Sequence, residues 1–400
     1  MKETGNGVSP WFSPVAVVSV AQLFGTSLWF SANSAADGLR ETWDATASDI
    51  GWLTNSVQAG FILGTLAMSL LGFADRFRAS TIFMASAVAG ALFNLGFAWV
   101  AQDIVAGGIF RFLVGLSLAG IYPIGMKLIV SWEPERTGQA LALLVAMLTL
   151  GTALPHFLRF TGGQLPWQWI VSGSSCLALL GAAMIQRLGT GPHLPAAAAR
   201  AKGPGAVLSA FRIVRLRAAA MGYFGHMWEL YAFWTLVPML VAATGLAAQF
   251  PVLGVAGLSF SIIGAGSIGC LAGGALSRRI GSAGVALGSL AISGGCATVF
   301  ALGWQVLSPG VLLAVLLVWG ASVVADSPQF SALSARACPR DVVGGALAIQ
   351  NAAGFAITIL SISAVTALFE GIGPAAVWLL LPGPAAGLAG YLLTLRHGSG

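Results

Sequence analysis

Twelve stretches of roughly 20 apolar residues, each long enough for a helix to cross the hydrocarbon of a bilayer, constrain this chain more than any motif in it. They can be drawn near residues 14–36, 50–73, 80–101, 104–130, 138–160 and 167–186, and after a polar gap near 218–242, 254–277, 284–303, 310–333, 344–368 and 374–395. A water-soluble domain carries about 25% charged residues. Here 8% of 400 residues are charged and 57% are hydrophobic, so an all-α integral membrane protein with no soluble domain is expected. The 53 glycines fit, because membrane helices tolerate glycine and use it for close packing.

The polar start MKETGNGVSPWFS has no basic-then-apolar cleavage pattern, so the first span is expected to stay in place. Cys176, Cys270 and Cys296 fall in apolar runs and Cys338 in a short basic loop; with no paired or metal-type spacing, neither a disulfide nor a zinc site is expected. Alternate loops carry the basic residues: Lys2, Arg76 and Arg78, Arg136, the set from Arg187 to Arg217, Arg278 and Arg279, Arg336 and Arg340, and Arg396. The other loops hold Asp37, Glu41, Asp44, Asp49, Asp103 and Glu370, with Arg40 as the main exception. By the positive-inside rule both termini are then cytoplasmic. The net charge of +6 is spread over these loops and forms no patch for nucleic acid.

The longest gap, rich in alanine, glycine, proline and basic residues, reads as a cytoplasmic linker over 187–217 between six-helix bundles at 1–186 and 218–400. The halves look alike. A shift of 205 places Ser117 on Ser322, Pro123 on Pro328 and Pro134 on Pro339; a shift of 206 places Gly138 on Gly344. Two pseudo-symmetric bundles of this kind are the mark of transporters built from repeats, with the substrate site between them.

Between the second and third spans stands LLGFADRFRAS, and at the equivalent place in the second half GGALSRRIGS. Both resemble the loop motif of the major facilitator superfamily, and with the twelve-span layout the resemblance covers the whole chain. It implies a latch at the cytoplasmic side, with Gly72, Asp75, Arg76 and Arg78 in the first copy and Gly274, Arg278 and Arg279 in the second. Asp75 would latch the start of the eleventh span near Gly344. Gly72 lies one residue closer to Asp75 than in the family, and Arg278 replaces the acid in the second copy, so the latch is expected to be one-sided. RFLVG, Arg111 to Gly115, resembles the family's fourth-span motif, whose arginine is linked to proton coupling. In texture the chain is similar to members grouped with nitrate/nitrite and cyanate porters; where those place an arginine in the second and eighth spans, this sequence has Asn55 and Gln58, and Ser261 and Ser267.

Charges inside a bilayer cost at least ~2.5 to 3.5 kcal/mol each, so they face a cavity or a partner. Within the spans lie Arg111, Lys127, His156, Arg159, His226, Glu229 and Asp326. His226 and Glu229 are three apart and share a helix face. They read either as a proton-loading pair or as groups hydrogen-bonded inside the bundle. Asp326, beside Pro328 in a span expected to break, is a second proton candidate or a structural residue. Arg111 reads as an anion ligand or as the permanent partner of an acid. Lys127 reaches toward the cytoplasmic surface, and His156 and Arg159 mark the outer interface. Trp29, Gln58, Tyr122, Trp228 and Tyr231 are candidate substrate-binding residues, against the alternative of plain packing. Gly115 with Ala119, and Gly269 with Gly273, are spaced to let helices approach.

The expected function is secondary transport of a small anion or polar metabolite by alternating access in the inner membrane, coupled to protons. The rival readings are proton-driven efflux of hydrophobic drugs and a non-transporting sensor or assembly factor. No nucleophile, nucleotide loop or metal motif points to an enzyme or a pump driven by ATP. The partners are then a small-molecule substrate, protons and the bilayer, with no cofactor, and a monomer is expected.

Overall fold

The computed structural model describes residues 13–134, 137–193, 204–339 and 342–397, without the side chains of a few more, Asp75 among them. Seven helical stretches among the described residues are long and apolar enough to cross a membrane. Two of these, Gly254–Gly303 and Val343–His397, hold two crossings each, and the first, second and seventh spans complete the twelve. The chain turns between the eighth and ninth spans at Gly281, whose φ of 80° suits glycine.

Several spans are not single helices, and their sequences say why. The first is divided into Pro14–Thr26, Ser31–Ser34 and Ala36–Trp43, with a turn over 27–30. The Thr26 hydroxyl donates to the Gln22 carbonyl and the Ser27 hydroxyl to that of Phe24, and such side-chain bonds compete with the helix ladder. In the fourth and tenth spans, Pro123 and Pro328 lack the N–H that would bond four residues back. Both spans break there, into Ile104–Leu118 and Tyr122–Trp132, and into Pro309–Ala325 and Ser327–Ala337. The carbonyl freed on Val324 accepts from the Cys270 thiol at 3.6 Å. The last span is shorter than the apolar run 374–395 suggests. Pro374, Pro382 and Pro384 interrupt it, giving a 3-10 turn over Gly373–Leu379 before the helix Pro382–His397.

Six spans pack together in each half, and the halves meet along the second and eleventh spans and along the fifth and eighth. Within each half one crossing depends on the absence of a side chain. A Cβ at Gly115 would overlap the Val57 carbonyl, and one at Gly320 would overlap the Ile262 carbonyl. These two glycines are themselves related by the 205 shift, so the halves repeat the same close approach. Ala119 meets Gly64 and Gly273 lies against Ala325, which extends both contacts as the small-residue spacing suggests. Gly320→Leu is expected to cost about 1–3 kcal/mol or more, read as a lower Tm in detergent. Gly288→Leu, whose new side chain would begin in open space, is expected to leave the Tm unchanged.

At the end away from the linker, here the far end, the halves are tied by polar contacts. The Ser48 N–H donates to the Glu370 carboxylate at 2.8 Å, which places the charge at the start of the second-span helix. Deeper in, Asn55 Nδ2 donates to Ser363 Oγ at 2.8 Å, and between the fifth and eighth spans Ser267 Oγ donates to the Ala146 carbonyl at 2.8 Å. Removing the first tie with Glu370→Ala should lengthen the distance between spin labels at Thr42 and Ile372, measured by electron paramagnetic resonance. At the opposite end the described residues on either side of 194–203 contact the helices. The Ser80 N–H donates to Thr190, Gly191 and His193 donate to Ser131, and the helix Pro204–Ala210 packs through Val207 beside Gly345 of the eleventh span.

Candidate functional site

The break in the first span is held by Arg111. Its Nη1 donates to Ser31 Oγ at 3.0 Å and Asn94 Oδ1 at 2.8 Å, and its Nη2 donates to the Leu28 carbonyl at 2.9 Å and to that of Trp29. Helix breaks leave carbonyls without partners, and a guanidinium, with five donors in one plane, suits two of them at once. Asn94 continues the network by donating to the Val171 carbonyl and Ser175 Oγ, each at 3.0 Å. Arg111 is fully buried and its ring contact is Phe97, 5.6 Å away. Its observed partners are carbonyls, a hydroxyl and an amide, not the acid considered from sequence. Asn94 and Ser31 were missed there, since nothing in their spacing sets them apart from other small polar residues.

What this break presents is Trp29. The ring lies 5.6 Å from Tyr231 and 5.9 Å from Phe355, both in the other half, and 4.9 Å from Phe61. Phe30 meets Trp234 edge to face at 5.9 Å, and Tyr231 meets Phe355 at 5.3 Å. All of these side chains are buried, so the centre of the molecule is closed by rings drawn from both halves. Aromatic pairs in such geometry contribute about 0.5–1.5 kcal/mol beyond the area they bury. Trp29 Nε1 donates to Gln58 Oε1 at 3.1 Å, while Gln58 Nε2 and Trp234 Nε1 have no protein partner among the described residues. Trp29, Gln58 and Tyr231 are therefore brought together. Tyr122 is half-buried at the start of the second helix of the fourth span and packs against the same core. Trp228 is not with them: its Nε1 donates to the Leu379 carbonyl at 2.7 Å and its ring covers Gly383. It faces the twelfth span although it lies only three residues before Tyr231 on the same continuous helix.

His226 and Glu229, which share the seventh span Val214–Ala243, have different partners. Glu229 Oε1 accepts from Trp319 Nε1 at 2.7 Å and Oε2 from Ser293 Oγ at 2.8 Å. Trp319 is itself stacked on Phe233 at 4.3 Å. His226 Nδ1 pairs instead with Asp326 Oδ1 at 2.8 Å, where the tenth span breaks. All three ionisable groups are fully buried. His226 Nε2 and Asp326 Oδ2 have no protein partner among the described residues. Trp319 and Ser293 were not legible as partners, being an ordinary aromatic and an ordinary small residue in apolar runs.

A sequence model of the Major Facilitator Superfamily matches residues 17–392. This chain belongs to the major facilitator superfamily. The facilitator is 27% identical over 291 residues to the 3-(3-hydroxy-phenyl)propionate transporter of Escherichia coli, a match covering 71% of this chain and 69% of that one. A shorter match, 29% identical over 147 residues, covers 32% of this chain and 31% of the niacin transporter NiaP of Acinetobacter baylyi. Among solved structures, the fold is similar to that of the nucleoside transporter NupG, with a TM-score of 0.73 at 12% identity over 96% of this chain and 99% of that one. It is also similar to the xylose transporter XylE from E. coli in a partially occluded inward-open conformation, with a TM-score of 0.72 at 14% identity over 97% of this chain and 99% of that one. The relatives and neighbours are transporters, not enzymes, and this facilitator is a multi-pass membrane protein that acts as a secondary transporter of small metabolites.

The loop motifs take different shapes in the two halves of the facilitator. In the first, Gly72 turns the chain with φ 63° into the short helix Phe73–Arg76, and Arg76 and Arg78 are exposed. The side chain of Asp75, and with it the latch toward Gly344, lies outside the described residues. In the second, Gly274 stays within the long helix, where an added Cβ would lie 3.3 Å from that of Ala142 across the halves. Arg278 and Arg279 follow it, exposed, on the way to the turn at Gly281.

Proposed function

We propose that this facilitator moves a small organic anion or polar metabolite by alternating access, driven by protons that load and unload at Glu229, with His226 and Asp326 as a second ionisable pair. The observation that carries the reading is the full burial of two carboxylates and an imidazole inside one half. Each charge kept at such depth costs the fold several kcal/mol, and a group that can shed its charge by exchanging a proton is suited to coupling. Glu229 has neutral donors on both oxygens, so it has no bound cation to lose when it protonates.

The cargo then meets Trp29, Gln58, Tyr122 and Tyr231 as the aromatic centre opens. Arg111, with both terminal nitrogens engaged, supports the site through the turn that carries Trp29, and Nε is its remaining donor. The bundles at 1–186 and 218–400 rock about this centre, with 187–217 as their tether. The basic linker end faces the cytoplasm of an inner membrane, and the unit is a monomer. An organic anion fits better than nitrate: Asn55, where a nitrate porter would carry arginine, is already bonded to Ser363, and the cargo named for one relative joins a phenyl ring to a propionate. The ring-lined centre favours a second reading, efflux of hydrophobic compounds.

A thermal-shift screen of purified protein at acidic and neutral pH separates these readings, because a ligand that binds the folded state raises its stability. Small anions are expected to stabilise, more strongly at acidic pH. Stabilisation by hydrophobic cations alone would move the assignment to efflux. No stabilisation by any ligand, with no flux under any gradient, would leave a sensor or assembly factor.

A further inference from the structure

One turn beyond the aromatic centre, on the far-end side of Phe30 and Trp234, lies a cavity of about 470 Å³ between the first, fifth, seventh and eighth spans. Its size is that of a small-molecule site. His156 lines it and is 2% exposed, yet its Nε2 has no hydrogen-bond partner among the described residues. A buried polar atom left unpaired costs about 1–3 kcal/mol, so Nε2 is open to a ligand that enters the cavity. Beside it, Arg159 is half-buried and among the described residues donates through Nη1 alone, to the Leu165 carbonyl at 2.8 Å. Arg40 lies at the exposed rim, and Asp37 is the one carboxylate in the lining. Phe160 and Met239 add an apolar wall.

We propose that this far-end vestibule is a carboxylate-binding antechamber, in which Arg159 and His156 take the carboxylate of a small organic acid, Arg40 draws it in, and the wall of Phe160 and Met239 holds its apolar body before the rings part. The site rests on the reading of an organic-anion cargo and adds to it a holding position outside the centre. It gives the buried histidine and the arginine, which from sequence marked only an interface, a shared ligand.

The test is calorimetric titration of the full-length purified protein with benzoate and with neutral benzamide. Wild-type protein is expected to bind benzoate, and Arg159→Gln and His156→Gln are each expected to weaken that binding by about tenfold or more, with benzamide affected far less. Arg40→Gln, at an exposed position that does not threaten folding, is expected to weaken it as well, and more at low salt than at high. If all three variants bind benzoate as the wild type does, the antechamber is overturned while an organic-anion cargo stands. If the wild type binds no benzoate, both the antechamber and that cargo fall.

Discussion

Glu229→Gln is expected to abolish accumulation of substrate against a gradient in proteoliposomes driven by a pH difference, and to leave counterflow exchange largely intact. The substitution keeps shape and volume. The amide oxygen can go on accepting from Trp319, and the Ser293 hydroxyl, now 2.8 Å from a carboxylate oxygen, can turn to accept from the amide instead of donating. Only the capacity to bind and release a proton is lost. Counterflow needs no net proton movement, so it isolates the carrier cycle from the driving force. Equal loss of both activities would remove Glu229 from the coupling role and make it a residue of the carrier's core. Asp326→Asn gives the companion measurement: it leaves His226 beside a neutral amide and without a counter-charge, and a coupling role predicts a shifted pH profile of uptake rather than a collapsed Tm.

The second large effect is on stability. Arg111→Gln removes donors from two main-chain carbonyls, a hydroxyl and an amide in a fully buried site. Hydrogen bonds to a charged group contribute about 1.5–3 kcal/mol each, and breaking a buried charged network costs on the order of 3–5 kcal/mol. A large fall in Tm and in the yield of folded protein is expected. Arg111→Lys should rescue it poorly, because one ammonium cannot span the four acceptors as a planar fork does. Unchanged stability with a loss of anion affinity would instead make Arg111 a substrate ligand.

The spans were legible because bilayer thickness fixes the length of an apolar run and because basic loops alternate with acidic ones. The break at Pro328 was legible through proline chemistry; the one at Pro123 was not read, although the 205 shift relates the two prolines as it relates Gly115 to Gly320. The break in the first span was not, since Thr26, Ser27 and Ser31 act through carbonyls that any sequence possesses. At the site, spacing on one helix put His226 beside Glu229, but partner choice depends on neighbouring spans, and these gave Asp326 to one and Trp319 to the other. Trp228 and Tyr231 looked equivalent for the same reason, until the twelfth span claimed the first of them.

The rings that close the centre have a consequence for how selectivity is distributed. Trp29, Phe61, Tyr231 and Phe355 meet through flat, weakly directional surfaces, which can come together again around guests of different outline at similar cost. Such a seal excludes water without naming the guest. On the proposed reading, discrimination between related cargoes falls to the few polar atoms at its margin, and changing a single amide, Gln58, is expected to redirect the carrier while its seal and its halves stay as they are.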